Sequence, residues 1–230
     1  MDEWTDLAGW WYEEIADDPA FSTDIVPLLE ALMPARRGPW LDAGCGEGRV
    51  ARLLGDGIVG CDLSAELLRR AAATHPVVQC RLPDLRWLRD GSLDGVYIVL
   101  SLEHIADLDG FLAEAHRCVA TGGALVVVAN HPAFTAEGAA PIVDLTDGEV
   151  LWRWGPYFTP APVATDIVAG RTVTFHHRPL GMFLTAAAAA GWSLRVLDER
   201  PLSPAALAGR PDEAQSAHLP RLLGARWEKR

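Results

Sequence analysis

The sequence predicts an α/β fold in which a parallel sheet is covered by helices on both faces. Two observations support this prediction. From Trp40 onward, short apolar runs alternate with helical patterns, and such alternation is typical of parallel strands joined by right-handed crossovers. The chain of 230 residues, 50% hydrophobic and 22% charged, is also long enough for one such domain with its own core.

The elements follow in order along the chain. Residues 4–33 are expected to be helical, because apolar side chains recur there at three- and four-residue spacing and Pro34 follows. Five apolar runs are strand candidates, at 39–43, 57–61, 77–81, 95–100 and 123–130. Helical patterns separate them, at 47–54, 65–74 and 108–119. Ser64 and Asp107 are placed to cap two of these helices.

The alternation stops after residue 130. Residues 131–178 carry glycine and proline punctuation, two short extended runs and a cluster of aromatic side chains. An alanine-rich helix then precedes two further strand candidates, at 193–198 and 219–228. Because inserts of this length in a compact domain are usually lids or binding elements, we expect the insert to determine which ligand the protein recognises.

Composition excludes several functions. The net charge of −11 opposes binding to nucleic acid and to anionic membranes. No apolar run reaches the roughly 20 residues needed to cross a bilayer. The N-terminus begins acidic and lacks the features of a secretion signal, so we expect a cytoplasmic protein. The four cysteines have no zinc-ligand spacing, which predicts reduced structural thiols and no metal site.

A glycine-rich turn, WLDAGCGEG at 40–48, follows the first strand candidate. A dinucleotide fingerprint needs G-x-G-x-x-G. Here the third glycine comes one residue early, at Gly48, and Arg49 stands where the fingerprint has its third glycine. The lysine of a phosphate-binding P-loop is also missing from the motif. Asp42 narrows the choice of ligand further, because a carboxylate at the mouth of the turn repels a pyrophosphate and attracts an ammonium or sulfonium group.

Two more acids follow the next strand candidates. Asp62 is placed to accept hydrogen bonds from ribose hydroxyls, and Asp84 is placed to reach an adenine amino group. Taken singly, each acid is more often a helix cap or a turn residue. Together with the glycine turn, the three acids indicate a nucleoside that carries a cationic tail and no phosphates.

Three segments carry a family resemblance: WLDAGCGEGRVARLL at 40–54, GIVGCDLSAELLRRA at 57–71, and the run 82–128 that begins LPDLRW. They resemble the class I S-adenosylmethionine-dependent methyltransferases, and within these the small-molecule enzymes of the ubiquinone/menaquinone-biosynthesis-like group. Residues 176–230 are similar more loosely. The resemblance implies a Rossmann-like doubly wound sheet with strand order 3-2-1-4-5-7-6 and an antiparallel last strand. It also implies S-adenosylmethionine as cofactor and S-adenosylhomocysteine as product.

The resemblance also implies the cofactor-binding residues. Asp42 would lie near the methionine amino group, Asp62 at the ribose and Asp84 at the adenine edge. The full implied set is Asp42, Ala43, Gly44, Cys45, Gly46, Gly48, Asp62, Leu63, Asp84, Leu85, Leu100 and Ser101. In many relatives an N-terminal helix closes over the cofactor, which makes Trp11 and Tyr12 candidates as well. An ordinary amphipathic helix explains these two residues equally well.

Histidines are the candidate catalytic residues. Methyl transfer from a sulfonium is an in-line displacement that depends mainly on alignment and desolvation, and a general base is needed only when the acceptor must lose a proton. His177 is favoured, because similar sequences often have a His-Arg step there. His104, just past the fourth strand, and His176 follow it. Packing at a helix entry is the alternative role for His177.

Two questions stay open at this stage. The aromatic residues Trp152, Trp154, Tyr157 and Phe158 are suited either to an acceptor pocket or to a small core. The favoured function is methyl transfer to a small molecule, without nucleic acid or membrane as partner. A nicotinamide-dependent oxidoreductase is disfavoured by Asp42 and the early glycine, and a non-catalytic cofactor-binding module is the third alternative.

We expect a single domain with four parts. They are an N-terminal helical lid at 1–38, a cofactor-binding core at 39–130, a substrate cap at 131–178, and a C-terminal helix with a terminal strand pair at 179–230.

Overall fold

A seven-stranded sheet forms the centre of the computed structural model, which describes residues 3–16, 18–144, 146–147, 149–168, 170–208 and 217–230. In chain order the strands are β1 (Trp40–Ala43), β2 (Ile58–Asp62), β3 (Val77–Gln79), β4 (Leu93–Val99), β5 (Val119–Asn130), β6 (Ala140–Val143), β7 (Val150–Arg153), β8 (Ala161–Val168), β9 (Arg171–His177), β10 (Trp192–Arg200) and β11 (Leu222–Lys229).

The order of strands across this sheet is β3-β2-β1-β4-β5-β11-β10. The neighbouring pairs from β3 to β5 are parallel, whereas β11 runs antiparallel to both β5 and β10. This is the doubly wound order with an antiparallel last strand, so the predicted fold class is confirmed. The two remaining sheets are the hairpins β6–β7 and β8–β9, which follow β5 and occupy the insert.

The helices are α1 (Glu3–Ala16), α2 (Val26–Leu32), α3 (Arg49–Leu54), α4 (Ala65–Ala71), α5 (Leu108–Cys118), α6 (Pro132–Thr135), α7 (Leu180–Ala189) and α8 (Pro204–Leu207). A π-helical turn at Phe21–Ile25 precedes α2, and a 3-10 turn at Leu102–His104 follows β4. Both predicted caps are confirmed, since Ser64 accepts the N–H of Leu67 and Asp107 accepts that of Gly110. No helix in the described ranges is long and apolar enough to span a membrane.

The sheet separates two apolar cores. Along β5, Leu125 and Val127 point into the core beneath α5 and α7, whereas Val126 and Val128 point into the core beneath α2. This follows from the two-residue period of a strand. Because both faces are covered, β5 is apolar at consecutive positions rather than at alternate ones. Each such side chain, fully buried, stabilises the fold by roughly 1.5–3 kcal/mol.

Several predicted boundaries differ from the structure, and three of these differences are informative. The helical pattern at 4–33 is divided between α1 and α2, and Pro19 accounts for the break because it lacks an N–H and disfavours helix just before itself. The strand predicted at 77–81 ends at Gln79, ahead of a turn in which Asp84 donates its N–H to the Arg81 carbonyl. The two extended runs expected in the insert are four strands.

Candidate functional site

A cavity of about 700 Å³ lies at the carboxyl ends of β1, β2 and β4. In an open parallel sheet, ligands bind at this edge, where the strand order reverses. The base of the cavity is the glycine turn after β1. Its other walls come from the end of β2, the residues after β4, α1 and the π-helical turn. The side chains and turns that line it include Trp4, Trp11, Phe21, Asp42, Gly44, Cys45, Gly46, Asp62, Leu63, Leu100, Ser101 and His104.

The glycine turn needs glycine for conformation and for space. Gly44 has a φ of +73°, in the left-handed region that favours glycine. A Cβ at this position would lie 2.7 Å from the Ser101 Cβ, so a side chain would collide with a residue just after β4. The Ser101 hydroxyl in turn donates to the Gly44 carbonyl at 3.1 Å. The turn is therefore held against β4, with its backbone at the cavity.

Asp42 brings an unsatisfied carboxylate to this cavity. The residue is 2% exposed, and among the described residues no hydrogen-bond partner reaches its Oδ2 atom. Burial raises the pKa of the Asp42 carboxyl to about 7; the Tyr97 hydroxyl partly offsets this effect, and the negative charge of Asp62 adds to it. A buried carboxylate that lacks a partner is costly. A cationic group of a ligand would satisfy it, and the ammonium of an amino-acid tail fits that requirement.

Asp62 joins the second strand to the glycine turn. Its Oδ2 accepts the N–H of Gly46 at 2.8 Å, and its Oδ1 accepts the N–H of Ser64 at 2.8 Å. Both bonds fix the carboxylate at the cavity wall. Each carboxylate oxygen has lone pairs for more than one donor, so the same group is able to accept hydroxyl donors from a ligand.

Leu100 shapes the third wall. Its φ of +51° is left-handed, which is unusual for a residue with a side chain. Such a conformation costs about 1–2 kcal/mol, and the surrounding bonds hold it, because the Leu100 N–H donates to the Val128 carbonyl at 2.7 Å. The turn directs the chain away from β4 and places Ser101 and His104 at the cavity.

His104 lines the cavity with a defined tautomer. Its Nδ1 lies 3.0 Å from the Thr174 carbonyl oxygen of β9. Since a carbonyl only accepts, Nδ1 carries the proton and Nε2 carries the lone pair. The ring is also fixed by aromatic contacts, with centroids 4.8 Å from Trp4 and 4.6 Å from Phe175. His104 therefore offers an oriented proton acceptor.

Comparison with known proteins agrees with this geometry. A family model described as "Methyltransferase domain" matches residues 41–127. The solved structure of an S-adenosylmethionine dependent methyltransferase from Mesorhizobium loti is similar to this chain, with 27% identity and a TM-score of 0.78 over 88% of this chain and 96% of that one. Residues 41–127 carry a methyltransferase domain, and the chain resembles the S-adenosylmethionine-dependent enzymes. Its cofactor is S-adenosylmethionine, whose ammonium fits the unpartnered oxygen of Asp42.

Curated relatives match this chain over shorter stretches than the solved structure does. The malonyl-[acyl-carrier protein] O-methyltransferase of Erwinia billingiae is 33% identical over 129 residues, or 54% of this chain and 46% of that protein. A probable S-adenosylmethionine-dependent methyltransferase of Mycolicibacterium smegmatis is 34% identical over 92 residues, 38% of this chain and 36% of that protein. The chain thus spans less than half the length of these relatives.

Asp84 and Leu85 lie outside the cavity of the methyltransferase domain. Asp84 accepts two hydrogen bonds from the Arg86 guanidinium, at 2.9 and 2.7 Å, and this partner lowers the pKa of its carboxyl to about 2. Leu85 is fully buried in the core. The cause is the early end of β3, which brings three preceding residues to the wall instead: Cys80, Arg81 and Leu82. The sequence pattern placed the acid by the end of the apolar run and so missed this shift.

Tyr12, Gly48 and Ala43 also lie off the cavity wall. The Tyr12 ring packs under the Arg70 guanidinium at 3.7 Å, on the outer side of α1, while its neighbour Trp11 faces the cavity. Gly48 begins α3, and Ala43 is buried within β1.

Trp4 was not predicted as a site residue. Its ring centroid lies 5.3 Å from that of Trp11. The seven-residue spacing of these tryptophans, which places both on one helix face, was the signal that could have found it.

His177, the favoured base, is buried away from the cavity. Its Nδ1 lies 2.8 Å from the Thr135 hydroxyl, and its Nε2 lies 2.7 Å from the Tyr157 carbonyl. The carbonyl only accepts, so Nε2 holds the proton and Nδ1 accepts from Thr135. Both ring nitrogens are thus used in joining α6 and β9 to the residues after β7. His176, the preceding residue of β9, does not line the cavity either.

Replacing Asp62 with alanine is expected to weaken binding of S-adenosylhomocysteine by about 10- to 100-fold, the effect of losing charge-assisted hydrogen bonds. Calorimetry measures the affinity, and a thermal melt checks that the glycine turn survives the loss of the Gly46 bond. Asp84→Ala is the matched control, since this acid pairs with Arg86 outside the cavity, and it should leave affinity unchanged. Equal losses in both variants, or none in Asp62→Ala, would contradict the assignment.

Proposed function

We propose that this protein transfers a methyl group from S-adenosylmethionine to a small-molecule acceptor, with His104 as general base when the acceptor is a hydroxyl. The observation that carries the proposal is the position of His104. It lines the same cavity as Asp42 and Asp62, with its Nδ1 proton held by the Thr174 carbonyl. S-adenosylmethionine supplies an electrophilic methyl group when bound. The chain supplies alignment, water exclusion and a proton acceptor.

Each acid has a distinct role in this proposal. Asp42 binds the ammonium of the amino-acid tail, and the backbone of Gly44 and Gly46 surrounds that tail. Asp62 accepts the ribose hydroxyls while it continues to hold the Gly46 N–H. Leu63 and Leu82 provide the apolar walls on the nucleoside side. Asp84 does not bind the adenine edge in this arrangement.

A small acceptor is supported by how the cavity is enclosed. Its volume of about 700 Å³ lies within the range of small-molecule sites. We propose that residues 1–38 form its lid, with Trp4, Trp10 and Trp11 of α1 facing inward. Arg171 of β9 donates to the Asp6 carbonyl of α1, which joins this lid to the proposed substrate cap at 131–178. An enclosed aromatic cavity of this size favours a flat or apolar molecule over a polymer.

The chemistry of the relatives supports an oxygen acceptor. Two curated relatives, from Erwinia billingiae and Hamiltonella defensa, are named malonyl-[acyl-carrier protein] O-methyltransferases. We propose oxygen methylation for this chain as well. A carboxylate acceptor is already ionised near neutral pH and needs no base, whereas a phenol or alcohol requires one. The role of His104 therefore depends on which of the two the protein methylates.

The deciding experiment uses S-adenosylmethionine labelled in its methyl group. The protein is incubated with separate panels of phenols, carboxylic acids and amines, and with nucleic acid and protein fractions. Transfer of label to one small-molecule panel is the expected result. Label found on a macromolecule instead, or binding of NADH in place of S-adenosylhomocysteine in calorimetry, would overturn the proposal. Product binding without transfer to any panel would favour a non-catalytic module.

A further inference from the structure

A second, more open cavity of about 680 Å³ lies next to the residues that follow β7. It shares no lining residue with the cofactor cavity. Three aromatic side chains, Trp154, Tyr157 and Phe158, form one wall, and the Glu199–His131 pair forms another. Methyl transfer as proposed above uses none of these side chains, so the cavity needs an explanation of its own.

Neighbouring rings of the aromatic wall are nearly perpendicular to each other. Trp154 and Tyr157 have ring centroids 5.9 Å apart at an interplanar angle of 87°, and Tyr157 and Phe158 are 5.2 Å apart at 90°. Phe158 is 86% exposed and Trp154 48% exposed. Burying large aromatic side chains stabilises a fold, so two that stay in solvent beside a cavity indicate a surface kept for a ligand.

Tyr157 is held in place at three points. Its N–H donates to the Gly155 carbonyl at 2.9 Å, its carbonyl accepts from His177 Nε2 at 2.7 Å, and its hydroxyl accepts the Leu180 N–H at 3.2 Å. The buried His177 ring thus serves as a support for this segment. A ligand that contacts the wall meets rings that are already positioned, which lowers the entropic cost of binding.

The second wall carries the carboxylate of Glu199, which is hydrogen-bonded to His131. His131 Nδ1 accepts the Ala133 N–H at 3.1 Å and therefore has no proton. The ring is neutral, and its Nε2–H donates to Glu199 Oε1 at 2.7 Å. Burial also lowers the pKa of His131, which agrees with a neutral ring. The hydrogen bond orients Glu199 but leaves its charge in place at the cavity.

We propose that this cavity binds a small organic cation of the alkylammonium class. A cation is attracted to aromatic faces, most strongly to that of tryptophan. An oriented carboxylate in the same cavity adds a direct charge attraction and repels anions. The net charge of −11 favours the approach of cations to the whole molecule. This proposal does not depend on the identity of the methyl acceptor.

The test uses choline as probe, with S-adenosylhomocysteine present at saturation so that Asp42 is not accessible to the cation. Ligand-observed NMR measures choline affinity against that of 3,3-dimethylbutan-1-ol, which has the same shape without the charge. Choline is expected to bind at least about fivefold more tightly. Equal binding of the two probes, or no binding of choline at millimolar concentrations, would overturn the proposal.

Three variants locate the binding. Glu199→Gln and Phe158→Ala should each weaken choline binding at least about fivefold, and both positions tolerate change because the side chains are partly or largely exposed. Glu228→Gln is the matched control, since this carboxylate pairs with Arg195 on β10 and does not line the cavity. It should bind choline like the wild type. A loss in the control equal to that in Glu199→Gln would show non-specific attraction and refute the site.

Discussion

Asp42→Asn is expected to stabilise the free protein and, at the same time, to weaken product binding by about 10- to 100-fold. Both effects follow from the buried carboxylate at the cavity. In the free protein its Oδ2 atom lacks a hydrogen-bond partner among the described residues, and burial raises the pKa of the carboxyl to about 7. In the proposed complex the same charge would meet the ammonium of the product. The amide keeps the shape of the side chain and removes the charge.

The stability effect has a defined pH dependence. The folded-state pKa of about 7 lies above the ordinary aspartate value of 3.8, so between these pH values the folded protein holds a proton that the unfolded chain has lost. The free energy of unfolding therefore falls as pH rises through this window, and the full penalty is present above pH 7. At about 1.36 kcal/mol per pKa unit, Asp42→Asn should gain up to about 4 kcal/mol at pH 8, with a smaller gain at pH 6.

Chemical denaturation without cofactor and calorimetry with S-adenosylhomocysteine measure the two effects. Wild-type affinity should rise between pH 6 and pH 8 as Asp42 ionises, and the variant should show no such rise. Asp94→Asn is the control, because this carboxylate accepts the N–H groups of Arg37, Gly38 and Trp40 away from the cavity. It should lower stability and keep affinity. A destabilised Asp42→Asn protein with unchanged affinity would refute the role of Asp42.

His104→Gln is expected to lower kcat by about 10²- to 10⁴-fold on a hydroxyl acceptor, the usual effect of removing a general base. The affinity for S-adenosylhomocysteine should stay near the wild-type value, because His104 contacts Trp4, Phe175 and the Thr174 carbonyl on the acceptor side. Added imidazole should restore part of the rate. Steady-state kinetics with the acceptor found by methyl labelling measures both kcat and KM.

His177→Gln serves as the comparison. It should lower the melting temperature, because both ring nitrogens have buried hydrogen-bond partners, and leave kcat of the folded protein within about twofold, since the ring lies outside the cavity. If His177→Gln lost activity and His104→Gln kept it on a hydroxyl acceptor, the assignment of the base would be reversed. Full activity of His104→Gln would indicate an acceptor that is already ionised.

Local patterns were sufficient to predict the sheet and to bring several of the predicted site residues to one cavity. Strand–helix alternation determines a parallel sheet, and parallel strands bring their carboxyl ends to one edge. For this reason Asp42, Asp62 and Ser101, which are far apart in the chain, could be placed together from the sequence alone. The glycine turn was recognisable because positive φ and close contact with β4 leave few alternatives to glycine.

The errors have a common physical cause. The position of Asp84 depends on where β3 ends. Because the strand ends two residues earlier than predicted, Asp84 lies at the surface and not in the cavity. The choice between His104 and His177 depended on how the hairpin β8–β9 pairs and which of its faces meets the core. Such pairings join residues distant in sequence, and no local period encodes them.

The bond between His104 and Thr174 has a consequence for protein engineering. It links the proposed base, in the turn that follows β4 of the central sheet, to a backbone carbonyl of the insert. A chimaera that received the hairpins of another protein would keep the cofactor residues and yet lose the acceptor of the Nδ1 proton, unless the new strand presented a carbonyl at the same place. The orientation of the proposed base is therefore inherited with β9, and an exchange of the insert must keep a backbone carbonyl at the position of Thr174.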